Sequence, residues 1–186
     1  MLDQKLLDSQ PNIDETMRNK LLPKKICIYK WRVMLRRIPV RTELDKRGMD
    51  LESLRCPVCD NGIETVEHIL LECNFAKDLW DRVARWWNMS ISNHLPLEDR
   101  FKGLSHVNTP HAYTISSFRQ AIEWVCGYSI WQNRNQVVFR KKKGTGPTIL
   151  SEIQTRSFEW LSTRSKKIKI DWNQWLLNPN SYHDHG

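Results

Sequence analysis

The sequence predicts a mainly α-helical fold: a helical domain with a small Cys3His knuckle inserted in it and a C-terminal helical extension. Three observations carry this. Apolar residues recur at helical spacing through most of the chain. Nine tryptophans are spread over 186 residues, and Trp buries a large apolar area per side chain. Finally, one short stretch, CPVCDNGIETVEHILLEC over residues 56–73, holds closely spaced cysteines, which favour a metal over disulfides.

Residues 1–22 give weak signals and are read as an N-terminal arm, with a turn at Pro11-Asn12. Residues 23–38, PKKICIYKWRVMLRRI, predict a helix. Pro23 suits its start, and Pro39 disfavours helix at the residue before it. Ile26, Tyr29 and Val33 share a face, with Lys30 and Met34 following the same spacing and Trp31, Leu35 and Ile38 adjoining. Thr42 is expected to cap a short helix that Gly48 closes. After the cysteine stretch, Asn74 is expected to cap the helix FAKDLWDRVARWW, with Phe75, Leu79, Val83 and Trp86 inward.

Residues 89–112 lack a period and read as a linker with a short helix around 97–102. Residues 114–139 form the longest helical pattern. Ile115, Phe118, Ile122, Val125 and Ser129 line one side and Trp124, Tyr128 and Trp131 a second, so this helix should be central to the core. A basic run, Arg140–Lys143, follows. Pro147 should then open another helix with Ile149, Ile153, Trp160 and Leu161 inward. Residues 171–177 are a short amphipathic end piece, and 178–186 a mobile tail. The expected organisation is arm 1–22, zinc domain 23–88, linker 89–112, helical region 113–177 and tail 178–186.

The cysteine stretch has the pattern C-x2-C-x8-H-x4-C: Cys56, Cys59, His68 and Cys73. Three thiolates and one imidazole complete a tetrahedral shell for one Zn²⁺, with no open position for substrate. A fourth Cys, as iron–sulfur binding would want, is missing, which favours zinc; the closed shell makes the ion structural. Pro57 stiffens the turn between the first two ligands, and Asp60-Asn61-Gly62 tolerate positive φ after it. Cys73 falls at a helix N-terminus, where the dipole favours a thiolate. Cys27 and Cys126 stand alone and are read as buried small apolar residues.

Net charge is +8, unevenly placed. Residues 20–47 carry net +8 and 111–186 net +6, whereas 48–110 carry net −4. Basic flanks of this kind suit a polyanion, RNA or DNA. Lys24, Lys25, Lys30, Arg32, Arg36, Arg37 and Arg41 are the candidate nucleic-acid contacts, with 140–143 and 164–169 as further patches. The cysteine stretch sets Arg55 against Asp60, Glu64, Glu67 and Glu72. Three thiolates on Zn²⁺ add another negative charge, so the knuckle itself is read as a brace and not as a contact surface.

No apolar run is long enough for a membrane span, and the N-terminus lacks the pattern of a secretory signal. An intracellular location, nuclear or cytoplasmic, with no membrane partner, is therefore expected. No catalytic residues are assigned. The acidic pairs Glu98-Asp99 and Asp78/Asp81 read as solvated helix residues, and His94, His106 and His111 as linker residues.

The order PKKICIYKWRVMLRRIPVRTELDKRG, then the cysteine stretch, then Trp80 resembles the reverse-transcriptase zinc-binding domain of plant LINE-type (non-LTR) retrotransposon polyproteins. The matching positions are Pro23, Lys24, Trp31, Pro39, Thr42, Leu44, Arg47, Gly48, Cys56, Cys59, Glu64, Thr65, His68, Cys73 and Trp80. The resemblance covers 23–88, more loosely reaching 177 through SIWQNRNQVVF at 129–139. It implies a zinc-binding accessory module that lies downstream of an RNA-directed DNA polymerase and holds RNA or DNA. The chain has no Tyr-x-Asp-Asp motif, so the paired carboxylates of a polymerase are missing. The alternative is a protein-interaction module docking on a reverse transcriptase or another protein.

Overall fold

The computed structural model describes residues 20–89, 97, 101, 110–165, 169–177 and 179. Among them the fold is helical, and the only β-pairing is an isolated antiparallel bridge between Arg55 and Ile63. The elements in order are α1 (Lys24–Met34), α2 (Arg41–Asp45), a π-helical turn (His68–Glu72), α3 (Asn74–Trp87), α4 (Pro110–Arg140), α5 (Gly146–Arg164) and α6 (Trp172–Leu177).

Helix α4 is the axis of the molecule. It runs 31 residues, about 46 Å at the α-helical rise, and α1, α3, α5 and the π turn all pack on it. Residues 121–127 are buried without a break, as expected for a helix covered on every side. It starts at Pro110, inside the stretch expected as linker. Lys141, in the left-handed conformation (φ 52°), follows its last residue.

Helix α1 docks on α4 through Ile26, Cys27, Tyr29 and Val33. The Tyr29 hydroxyl donates to the Gly127 carbonyl at 3.0 Å, and its ring meets Trp124 and Tyr128 edge-on. The helix stops four residues before the Ile38 end that Pro39 suggested. Arg36 takes a left-handed conformation (φ 51°). Its N–H donates to the Val33 carbonyl at 2.9 Å, and the Arg37 N–H reaches back to Arg32 at 2.7 Å. This is a Schellman close, with arginine in the place glycine usually takes. It turns Arg36 and Arg37 off the helix.

Helix α3 buries Ala76, Leu79, Trp80, Val83, Trp86 and Trp87. The indole N–H of Trp80 donates to the Leu70 carbonyl at 2.8 Å, and that of Trp86 to the Trp175 carbonyl at 3.1 Å. Trp86, Trp87 and Trp175 pack mutually edge-to-face, which holds α6 against α3. Six of the nine tryptophans, 80, 86, 87, 124, 131 and 175, are buried. Trp160, expected inward on α5, is half-buried beneath the Lys25 ammonium, 5.3 Å from its ring centre. Ile149, Ile153 and Leu161 do face inward, and the Thr145 side chain caps α5.

One hydrophobic core runs from Leu22 to Trp175. The zinc-domain and C-terminal regions read from the sequence therefore pack on each other. Cys27 and Cys126 are buried in that core; desolvation pushes the Cys27 thiol above its ordinary pKa. The short helix expected at 97–102 lies outside the described residues except for Leu97 and Phe101. Both are helical and buried, and Phe101 stacks on Trp124 with centroids 4.1 Å apart. The arm up to residue 19, Glu98, Asp99, His94, His106, residues 166–168 and nearly all of the tail also lie outside the described residues. No helix among the described residues is long and apolar enough to cross a membrane.

Trp175→Ala should cost about 3–5 kcal/mol and release α6 from α3. Urea denaturation would check this; a midpoint like that of the wild type would contradict the packing described.

Candidate metal centre and basic surface

Two of the four ligands, Cys56 and Cys59, come from one short loop, and the other two, His68 and Cys73, from the start of the π turn and the N-cap of α3. Arg55 and Ile63 pair, and the Cys56 N–H donates to the Gly62 carbonyl at 2.8 Å. Within that loop the Asp60 N–H returns to the Cys56 carbonyl at 2.9 Å, with Asp60 at φ 53°. The tight turn brings Cys56 and Cys59 to one side, and the Asn61 N–H donates to the Cys59 sulfur at 3.4 Å.

His68 and Cys73 need a different device. Five residues apart on an α-helix, they would point roughly 140° away from each other. The chain instead forms a π turn, closed by the Cys73 N–H on the His68 carbonyl at 2.7 Å. This wider turn brings the fifth residue back towards the first. Thr65, just before the helical residues Val66-Glu67 that lead into it, accepts the His68 N–H on its hydroxyl at 2.9 Å. Cys73 is itself the N-cap of α3, the position expected for Asn74.

The ligand atoms of Cys56, Cys59, His68 and Cys73 all lie within 4.8 Å of one another. Cys56 Sγ and Cys73 Sγ are 4.0 Å apart, and Cys59 Sγ and His68 Nε2 3.4 Å. Tetrahedral zinc implies edges of about 3.8 Å between sulfurs and about 3.6 Å between sulfur and nitrogen. The four groups therefore form a site for one zinc ion. The Cys56 thiol donates to Cys73, and the Phe75 and Ala76 amides at the start of α3 point at the same sulfur. These contacts hold Cys73 below the ordinary thiol range. The same sulfur–sulfur contact, with burial, pushes Cys56 up. Of this pair, the contact favours the thiolate on Cys73 over that on Cys56.

Gly62 has a sharper role than turn tolerance. Its φ is +120°, and a Cβ there would come within 2.9 Å of the His68 ring. The imidazole lies against the bare backbone.

The site is locked to the rest of the protein by a pair that the sequence reading missed. Glu64 is 0% exposed, and Arg134 of α4 is 3% exposed. Arg134 Nε donates to Glu64 Oε1 at 2.6 Å and its second nitrogen to Oε2 at 2.9 Å. Oε2 also accepts the Arg41 N–H at 2.8 Å. The Glu64 carbonyl takes the Thr42 hydroxyl at 2.9 Å and the Thr42 N–H at 3.3 Å. Thr42 therefore ties α2 to the zinc loop and does not cap it; Val40 holds the cap position. Lys143 adds a strut, its ammonium donating to the Val58 carbonyl at 2.8 Å. An arginine inside a helix apolar on two sides was the available signal, because a buried guanidinium demands a buried acceptor.

The seven basic candidates divide. Arg41 is half-buried and donates to the Arg55 carbonyl at 2.7 Å; it braces the zinc loop. Arg36 lies 2.6 Å from Glu67. Lys30 is half-buried, 5.4 Å from the Trp124 ring centre. Lys24, Lys25, Arg32 and Arg37 are exposed, with Lys25 set over Trp160 and Arg37 5.9 Å from the Trp31 ring centre.

Residues 3–80 match a family model described as zinc-binding in reverse transcriptase. That match supports a reverse-transcriptase zinc-binding domain in this part of the chain, and the ligand geometry agrees with it. No curated protein and no solved structure matches the chain.

Two predictions test the centre and its lock. Cys59→Ser should lower zinc content below one per chain and melt α3, read by metal analysis and circular dichroism, because zinc binding contributes roughly 10–16 kcal/mol in finger peptides. Unchanged stoichiometry and helicity would contradict it. Arg134→Met should destabilise by about 3–5 kcal/mol by stranding Glu64, and adding Glu64→Gln should recover part of that loss; additive losses would show that the pair is not coupled.

Proposed function

We propose that the chain is a non-catalytic accessory module of a retroelement reverse transcriptase, of the plant LINE (non-LTR) type, or a remnant of one. It binds RNA or DNA through basic side chains held in place by a structural zinc ion. The carrying observation is the division of labour around the zinc loop, read together with the match to a family of zinc-binding domains in reverse transcriptase. Arg41, Arg134 and Lys143 are engaged in holding the loop. Lys24, Lys25, Arg32 and Arg37 stay exposed on α1 and its close. Exposed lysines and arginines on phosphates give sequence-independent, salt-sensitive binding, the mode that suits a module working beside a polymerase wherever its template runs. Such work places it inside the cell, in the nucleus or the cytoplasm.

A protein-docking role would draw on exposed apolar side chains such as Phe139 and Leu177. Scattered exposed apolar residues are ordinary on a soluble surface, so nucleic acid is the better-supported partner.

The zinc-loaded chain should bind mixed-sequence RNA or DNA with an affinity that falls steeply as salt rises, and chelating the zinc should weaken that binding. Filter binding across a salt series measures both. Absence of binding at low salt would contradict the reading.

A further inference from the structure

The end of α1, the turn after it and the residue two past α2 frame a groove of about 540 Å³ lined by Trp31, Arg32, Arg37, Pro39 and Arg47. Its chemistry differs from that of the other exposed basic residues. Three guanidiniums and one indole line it, and all three arginines are exposed. Among the described residues, no carboxylate forms an ion pair with Arg32, Arg37 or Arg47, whereas neighbouring Arg36 is held by Glu67. The Schellman close makes the arrangement. By turning the chain at Arg36 it carries Arg37 back over the indole of Trp31, 5.9 Å from the ring centre. Arg47 arrives from the far end of α2, where Gly48 at φ 80° turns the chain away.

The geometry points to this groove as a binding site for single-stranded nucleic acid, in which an unpaired base stacks on the Trp31–Arg37 shelf and the flanking phosphates meet Arg32, Arg37 and Arg47. The inference rests on the nucleic-acid reading above and assigns it a place. Aromatic rings and guanidinium planes are the two surfaces on which proteins stack unpaired bases. Guanidinium forks match phosphate oxygens better than ammonium groups do. The groove's volume falls within the roughly 300–1,000 Å³ of small-molecule sites, room for a base with its sugar. A duplex keeps its bases stacked inside and presents no face to the indole. An acidic peptide would use the arginines but leave the indole without a role.

The test uses the full zinc-loaded chain and a short labelled oligouridylate, with binding followed by anisotropy over a salt series. The triple variant Arg32→Gln/Arg37→Gln/Arg47→Gln should flatten the slope of log K against log salt by about 2, at about 0.7 per phosphate on a single strand. Trp31→Leu should weaken binding about 5- to 150-fold with its slope unchanged, and Trp31→Phe should keep most of the affinity. Lys141→Gln/Lys142→Gln, on a separate basic run, should alter the slope less than the triple variant. Zinc content and helicity should match the wild type; if Trp31→Leu fails that check, the triple variant and Trp31→Phe decide. Should the wild type bind while the triple variant and Trp31→Leu bind like it, the groove is rejected and the nucleic-acid reading stands. If the wild type binds no strand even at low salt, both fall. Displacement of the strand by polyglutamate, with Trp31→Leu indifferent, would mark an acidic-peptide surface and overturn the assignment.

Discussion

A carboxylate taken wholly out of water is destabilising by several kcal/mol unless its oxygens are answered. Glu64 has both answered. Arg134 clamps it with two donors from the central helix, and the Arg41 amide adds a third. Its own carbonyl then receives Thr42. One residue, four positions before the metal-binding histidine, therefore joins the zinc loop, α2 and α4. Without that pairing the knuckle would be a local fold sharing a surface with its neighbours. With it, the metal and the helical core belong to one cooperative structure, and zinc stabilises more than the loop that holds it.

The same pair revises the electrostatics of the zinc loop. The acidic excess there is real in the sequence, but half of its four carboxylates are answered in space, Glu64 by Arg134 and Glu67 by Arg36. Lys143 and Arg41 also bring positive charge onto its backbone. Two of the loop's four carboxylates are thus engaged in holding it to the rest of the protein. Basic residues that are near neighbours in sequence consequently do different work: Arg36 pairs, Arg37 stacks, Arg41 supports, and Arg32 and Arg47 border the groove.

Much of this was legible in the sequence because it follows local rules. Ligand spacing identified Cys56, Cys59, His68 and Cys73, and helical period identified α1, α3, α4 and α5. The two-sided apolar pattern of 114–139 placed α4 at the centre. The misses share a cause. Arg36 ends α1 in a conformation that arginine seldom takes, so no glycine announced the stop and Pro39 drew the boundary too late. Thr42 and Asn74 have the side chains of caps, yet Val40 and Cys73 occupy the cap positions, because the tertiary contact to Glu64 and the metal site claim those turns. The π turn was implicit in the His-x4-Cys spacing, since an α-turn would separate those ligands. Arg134 could be seen as a charge on a buried helix, but its partner lies 70 residues away, and no local pattern connects such distant positions.

The central claim is that the Glu64–Arg134 clamp makes the zinc site and the core of α4 one cooperative unit. Hydrogen exchange of the native chain, with and without a zinc chelator, tests it most directly. Chelation should speed exchange at the amides of 64–73 and, together with them, at the amides of α4 around Arg134. Acceleration confined to the knuckle, with α4 protected as before, would contradict it.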